Sequence, residues 1–342
     1  MARKDLDWEN IGFAYRKTDM RYRSDYRDGA WDEGGLTPDA DVVLNESAGI
    51  LQYCQQVFEG LKAYTWEDGS VVCFRPDLNA ERMYHSAEWM EMPSFPKERF
   101  LSAVDAVVRA NADWIPPYGS GASLYIRPYE FASGIVIGVK PAEEYQFRIF
   151  TTPVGPYYKG GATPISIQVS DFDRAAPHGT GAIKAGLNYA MSLHASVIAH
   201  RNGFSENLYL DAASRSYVEE TGGANVLFVD RERKLIVPKS SSILPSITRR
   251  SLVYVAEHYL HLKAEERAVR FSELPDFMEC GLCGTAAVIS PVGRIVDHGR
   301  EINLPSGMEQ AGEVIGELYR TLSDIQHGRL EAPEGWIRRV IE

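Results

Sequence analysis

No segment of the 342-residue chain approaches the unbroken apolar run of about 20 residues that a membrane span requires. The opening residues, Met-Ala-Arg-Lys-Asp-Leu-Asp-Trp, hold no apolar stretch of the kind that makes a secretory signal, so the expected location is the cytoplasm. Basic excess is missing too. Lys and Arg number 36 against 47 Asp and Glu, a net charge of -11, which argues against a nucleic-acid or other general polyanion partner but leaves room for a local anion pocket. There is no internal repeat and no low-complexity tract. Cysteine is scarce, with four in all: Cys54 and Cys73 stand alone, and Cys280-Gly281-Leu282-Cys283 is a single C-x-x-C pair. Without a second pair or histidines at ligand spacing, no metal site is expected. The two thiols are expected to pack beside a loop in a reducing compartment rather than to work as a redox pair.

What is present is an ordinary globular composition, 44% apolar and 24% charged, in a chain longer than one comfortable hydrophobic core, so two domains are expected. Strand patterns cover Val71 to Arg75, Ala122 to Arg127 and Tyr145 to Val154; helical spacing runs from Asn79 to Met90 and from Glu98 to Ala110. Gly155-Pro156-Tyr157-Tyr158-Lys159-Gly160-Gly161 breaks the pattern with turn formers. It predicts a boundary: domain 1–154, linker 155–162 and domain 163–342. Beyond it, strands are expected at Ile165 to Ser170, Asn207 to Asp211, Asn225 to Val229 and Leu235 to Val237. Helices are expected at Asn188 to His200, Ser246 to Leu260 and Glu313 to Ile325. The whole reads as mixed α and β, with at least two layers in each half.

Lys184 sits in Thr180-Gly181-Ala182-Ile183-Lys184-Ala185-Gly186-Leu187-Asn188-Tyr189, with no charged neighbour. A lysine among small and apolar residues is a candidate Schiff-base amine, because burial disfavours an ammonium and frees the lone pair for a carbonyl. An aldehyde cofactor with a pyridine ring and a phosphate would demand that amine, a group to tune the ring and a phosphate cup. Tyr189, near a helix start, offers a hydroxyl. Glu219-Glu220-Thr221-Gly222-Gly223-Ala224-Asn225 offers a carboxylate before a glycine turn, where a ligand can approach the backbone closely. In Leu244-Pro245-Ser246-Ile247-Thr248-Arg249, Ser246 is a good N-cap, so the amides of Ile247 and Thr248 open a helix and suit a phosphate. Gly284-Thr285-Ala286-Ala287 adds a hydroxyl and small residues. Arg82, on a helix, and Arg127, between Ile126 and Pro128 at an expected strand end, are candidate forks for phosphate or carboxylate. Each feature alone also fits a plain turn, helix start or surface charge.

Taken in order, Val57-Phe58-Glu59-Gly60-Leu61-Lys62-Ala63-Tyr64, Tyr125-Ile126-Arg127-Pro128, the Lys184 to Tyr189 segment, Leu244 to Arg249 and Gly284-Thr285-Ala286-Ala287-Val288-Ile289-Ser290-Pro291 resemble the branched-chain amino acid aminotransferases. These are fold-type-IV pyridoxal-phosphate enzymes, and the resemblance runs from about Ile11 to Trp336. It implies a two-domain α/β fold, with a small N-terminal domain and a larger C-terminal domain around a barrel-like sheet. It further implies transfer of the amino group of leucine, isoleucine or valine to 2-oxoglutarate in a ping-pong cycle.

By the same resemblance Lys184 is the catalytic lysine, Tyr189 faces the phenolic oxygen and Glu220 the pyridine nitrogen. Arg82, the Ile247 and Thr248 amides and Thr285 hold the phosphate, with Gly223 and Asn225 shaping the turn. Tyr53, Phe58, Tyr125, Ile137 and Val139 match the apolar side-chain pocket, some reaching across a homodimer interface. Ala286 and Ala287 receive the α-carboxylate and Arg127 the distal carboxylate of glutamate. Two features depart from the pattern. Lys17-Thr18-Asp19 stands where many relatives carry an aromatic residue before Thr-Asp, and the charged run 21–28 follows it. Ala287 and Ser290 replace the C-x-x-C of mammalian relatives, so no thiol regulation carries over. Rival readings are a D-amino acid transaminase or aminodeoxychorismate lyase of the same fold, a cofactor-free Schiff-base aldolase, and a non-catalytic pyridoxal-phosphate carrier.

Overall fold

The computed structural model describes residues 3–155 and 163–342. The chain forms two compact units: Met1–Tyr157 with Ile183–Leu187 and Gln326–Glu342, and Tyr158–Ala182 with Asn188–Ile325. The expected linker 155–162 lies, apart from Gly155, outside the described residues. The division departs from the expected single cut in two places, and hydrogen bonding accounts for both. Strand Ile337–Ile341 pairs antiparallel with Val71–Phe74, and Ala185 forms a bridge with Val57, so the C-terminal tail and the lysine segment join the first unit.

The first unit is built on a nine-stranded sheet. Its order runs Ile337–Ile341, Val71–Phe74, Leu61–Thr65, Ser123–Ala132, Tyr145–Val154, Arg21–Arg27, Ala30–Trp31, with Gly35–Thr37 beside Arg21–Arg27 and Gln56–Phe58 beside Ser123–Ala132. Helices Pro76–Trp89 and Lys97–Ala110 form where expected, the former starting three residues early because proline suits the first helical position. Phe100, Val104, Val107 and Val108 share one buried cluster with Leu124, Ile126, Phe147 and Ile149 of the sheet. The charged run 21–28, for which the sequence suggested no element, is mostly a strand. Tyr22 and Ser24 are buried and Arg23 and Asp25 partly exposed, a period of two hidden among charges.

The strand Ser123–Ala132 also runs past its expected end, through Pro128. Proline has no amide to give a neighbour, which normally excludes it from a central strand. Here the facing chain pairs Leu61–Ala63 with Leu124–Ile126 and Gln56–Phe58 with Tyr129–Phe131, and it is interrupted at Glu59 and Gly60 between them. The Pro128 carbonyl still accepts from the Glu59 amide at 2.7 Å, and the missing donor faces the interruption.

In the second unit six strands close on themselves. Asn225–Val229, Glu279–Gly284, Val288–Asp297, Ile165–Val169, Glu206–Leu210 and Tyr217–Thr221 pair in that order, and Glu220 opposite Asn225 completes the ring. Ile165–Val169 runs parallel to both its neighbours, while the other pairs are antiparallel. Ile167, Leu208, Val218, Val226, Phe228, Leu282, Val292 and Ile295 form its buried core. Cys280 and Cys283 lie within the strand Glu279–Gly284 rather than beside a loop. Their odd spacing points them to opposite faces, and burial pushes both thiols up, Cys283 to about 12, so they pack rather than react. Among the described residues no helix is long and apolar enough to cross a membrane, and no group of His, Cys, Asp or Glu is arranged to hold a metal ion.

Glu130 is fully buried in the first unit, and among the described residues neither carboxyl oxygen has a hydrogen-bond partner. Burial pushes its pKa well above 4.5; the Phe95 amide, outside hydrogen-bonding geometry, opposes this only in part. The folded chain therefore keeps Glu130 protonated after the unfolded chain has released the proton. That costs no stability below the unfolded pKa, and the loss grows as pH rises toward the folded one, by up to about 1.4 kcal/mol per pH unit. Glu130→Gln is expected to match the parent's thermal midpoint near pH 4 and exceed it increasingly toward pH 8. A midpoint difference that does not change with pH contradicts the neutral, buried carboxyl.

Candidate active site

In the first unit the interruption at Glu59 and Gly60 organises the charged side chains. The Glu59 carboxylate, fully buried, accepts from Arg82 Nε at 2.7 Å and Nη2 at 2.8 Å, and from Asn79 Nδ2 at 2.7 Å. This two-point pairing fixes the guanidinium on the helix Pro76–Trp89. Beside it the Lys184 segment is laid against the sheet: the Phe58 amide donates to the Lys184 carbonyl at 3.0 Å, and the Lys184 amide to Ser86 Oγ at 3.3 Å.

Phe58, Tyr125, Arg127 and Lys62 share one face of that sheet, by register and alternation. The Phe58 ring centroid is 4.8 Å from Lys184 Nζ and 4.9 Å from the Arg127 guanidinium carbon. Arg127 Nη2 donates to Tyr125 Oη at 2.9 Å, while its buried Nε has no acceptor among the described residues. Lys62 lies opposite Tyr125, and burial lowers its ammonium to about 8. An aromatic surface flanked by an amine and an arginine with an open donor accommodates both an apolar chain and a carboxylate.

In the second unit the carboxylate of Glu220 ends a buried strand. Its Oε1 forms an ion pair with Arg174 Nη2 at 2.8 Å and accepts from the Leu244 amide at 2.9 Å; its Oε2 accepts from Asn225 Nδ2 at 2.5 Å. Burial pushes Glu220 up to about 7 even though the Arg174 charge and the Leu244 amide pull it down, while Glu219 adds to the rise. Close by, the Ser246 side chain accepts from the Arg249 amide and caps the helix Ile247–His258. The amides of Ile247 and Thr248 come before the first intrahelical acceptor, an arrangement suited to a phosphate. Tyr189 falls in the first turn of the helix Gly186–Arg201, and Gly223 sits in the exposed turn between the Glu220 and Asn225 strands. Thr285, Ala286 and Ala287 form the turn between Glu279–Gly284 and Val288–Asp297.

The first unit thus brings together Lys184, Phe58, Tyr125 and Arg127, with Arg82 on the pair at the strand break. The second brings Glu220 and Asn225 together near the Ile247 and Thr248 amides. Tyr53, Ile137 and Val139 are placed elsewhere in the first unit. All three are exposed, and the Tyr53 hydroxyl donates to the Ile137 carbonyl. Sequence reasoning assigned nothing to Glu59, Asn79, Lys62 or Arg174. Glu59 and Lys62 lay inside a motif of the resemblance and Asn79 at the start of an expected helix, but an isolated polar residue carries no sign of a buried partner far along the chain.

Three comparisons bear on this arrangement. A family model described as amino-transferase class IV matches residues 56–295. A branched-chain-amino-acid aminotransferase of Haemophilus influenzae is 48% identical over 342 residues, covering 98% of this chain and 99% of that protein. The crystal structure of the Escherichia coli branched-chain amino acid aminotransferase superposes with a TM-score of 0.80 at 28% identity, covering 95% of this chain and 100% of that one. The branched-chain amino acid aminotransferase from Thermobaculum terrenum in its PLP-bound holo-form gives a TM-score of 0.79 at 25% identity, with 96% and 100% covered.

Gly60 is where close approach matters most: a Cβ there would overlap the Tyr125 hydroxyl that Arg127 holds. Gly60→Ala is expected to cost about 1–3 kcal/mol of stability by overpacking. Adding Tyr125→Phe, which removes the clashing oxygen, is expected to recover part of that loss in thermal unfolding. A double variant no more stable than the two single losses added together contradicts this contact.

Proposed function

The chain belongs to the class IV aminotransferases, in the branched-chain-amino-acid aminotransferase family, and on that premise we propose a role for each charged group described above. The protein is a transaminase that moves the amino group of L-leucine, L-isoleucine or L-valine to 2-oxoglutarate with pyridoxal 5′-phosphate, by a ping-pong cycle. When bound, the cofactor supplies an electron sink for negative charge developing at the substrate α-carbon. The residues present suit such a group: an amine at Lys184, capped-helix amides at Ile247 and Thr248, and a buried Asn225 Oδ1 beside Glu220 without a partner among the described residues.

In this reading Lys184 would hold the cofactor aldehyde and would carry the substrate α-proton as base and then acid. Glu220 keeps the ring nitrogen protonated, and Tyr189 donates toward the phenolic oxygen. Arg82, the Ile247 and Thr248 amides and the Thr285 hydroxyl hold the phosphate, while Gly223 and Asn225 shape the turn. The Ala286 and Ala287 amides receive the α-carboxylate. Phe58 and Tyr125 border the substrate side chain, and Arg127 receives the distal carboxylate of glutamate.

The observation that carries this reading is the Phe58 ring, within 5 Å of both the Lys184 amine and an arginine whose buried Nε has no acceptor among the described residues. An aliphatic side chain needs the ring, and a glutamate side chain needs the cation as well; Arg127 next to Phe58 serves both.

We also propose a cytoplasmic homodimer. Leu51, Tyr53, Ile135, Ile137 and Val139 expose a run of apolar surface on the first unit, and a second copy of the chain that covers it would bring Tyr53, Ile137 and Val139 to its own substrate. Sedimentation at micromolar concentration is expected to give twice the 38.2 kDa chain mass, and a monomer contradicts the assignment.

The roles are tested by steady-state kinetics on two variants of the cofactor-loaded enzyme. Lys184→Ala is expected to retain the parent circular dichroism and lose all measurable turnover; full turnover removes the lysine from the mechanism. Arg127→Gln is expected to lose about tenfold or more in kcat/KM with glutamate, roughly 1.4 kcal/mol, with a smaller loss for leucine. Equal losses for both substrates discard the proposed role of Arg127.

A further inference from the structure

Arg174 lies in the segment Ser170-Asp171-Phe172-Asp173-Arg174-Ala175-Ala176, which reads as an ordinary charged loop. In the fold it is 5% exposed. Its Nη2 meets three oxygens that belong to three different segments: Glu220 Oε1 at 2.8 Å, the Gly181 carbonyl at 3.2 Å and the Ser242 carbonyl. Each segment leads to a group with a role in the proposed chemistry. Gly181 lies three residues before Lys184. Ser242 lies four residues before the helix cap Ser246, and its hydroxyl donates to Glu219. Glu220 is the carboxylate assigned to the ring nitrogen.

We propose that Arg174 is a positioning residue which holds Glu220 as an oriented carboxylate and ties it to the segments at Gly181 and Ser242. A single nitrogen that donates to two carbonyls while pairing with a carboxylate is poorly replaced. Lysine keeps the charge but not the planar fork, and an amide keeps donors but not the charge. Space is equally restricted, because a Cβ at Gly181 would overlap the Ser242 carbonyl and meet Arg174 Nη2 at 2.9 Å. The ring nitrogen needs an ionised partner, yet burial alone drives this carboxyl toward its neutral form. Of the charged groups that face Glu220, Arg174 has the largest opposing effect, with Arg249 from the capped helix smaller and Glu219 acting the other way.

The proposal rests on Glu220 facing the cofactor, so the test separates the two. The Glu220 carboxyl of the full chain is titrated by infrared difference spectroscopy with Glu220→Gln as the reference, and affinity for pyridoxal 5′-phosphate is measured in parallel. Arg174→Gln is expected to move the carboxyl midpoint upward by about one pH unit or more, and to weaken cofactor binding about tenfold or more, roughly 1.4 kcal/mol. Arg174→Lys is expected to restore most of the midpoint but only part of the affinity. If Arg174→Gln does not fold, Arg174→Lys is read alone. A midpoint close to the parent's with weakened cofactor binding supports the proposal, and unchanged affinity overturns it. A folded Arg174→Gln whose midpoint stays within about 0.3 units of the parent also overturns it. If the parent chain binds no cofactor, the assignment of Glu220 to the ring nitrogen fails while the infrared result still decides whether Arg174 sets its charge.

Discussion

Glu220 ends a buried strand with both oxygens engaged, by an arginine, a backbone amide and an asparagine, and Glu59 in the other unit is built on the same plan with Arg82 and Asn79. Taking a carboxylate out of water costs several kcal/mol, and a buried guanidinium offsets that only when the remaining lone pairs also find donors. Losing one partner from such a pair typically costs about 3–5 kcal/mol, because the other charge is left buried and alone. The positions of Arg82 and Arg174 are therefore dictated by the carboxylates they serve. The charged groups assigned to the cofactor inherit that rigidity from the core.

Glu130 shows what the same side chain does without partners. Equally buried but with neither oxygen paired among the described residues, it has its pKa pushed well above 4.5, whereas Glu220 is brought to about 7 by burial that outweighs the opposing pull of Arg174 and the Leu244 amide. The first is a cost carried by the core. The second is an adjustable charge, set by how closely Arg174, Asn225 and the Leu244 amide approach. The interruption of the sheet at Glu59 and Gly60 serves a related purpose. It tolerates Pro128, lets a carboxylate reach Arg82, and leaves room for the Tyr125 hydroxyl that holds Arg127.

Long periodic elements were legible in the sequence because their pattern is local: Tyr145–Val154 and Asn225–Val229 have the expected bounds, and the main helices begin or end within about three residues of them. Arg21–Arg27 was not, since its alternation is carried by tyrosine and serine among charges. Nor was the membership of Ile337–Ile341 in the first unit, because nothing in that segment names Val71–Phe74 as its partner. The candidate site divides the same way. Lys184, Glu220 with its glycine turn, and the Ser246 cap stand in distinctive local contexts. Arg174 and Asn79 look like ordinary polar positions until distant segments close around them. The exposure of Tyr53, Ile137 and Val139 is likewise visible only in the fold.

The central claim, an L-branched-chain transaminase working through a lysine-held cofactor, is tested most directly by the visible absorbance of the purified protein loaded with pyridoxal 5′-phosphate. The account predicts that the cofactor band bleaches on addition of L-leucine, returns on addition of 2-oxoglutarate, and ignores D-alanine. Bleaching by D-alanine instead of L-leucine, or no protein-bound band once unbound cofactor is removed, contradicts it.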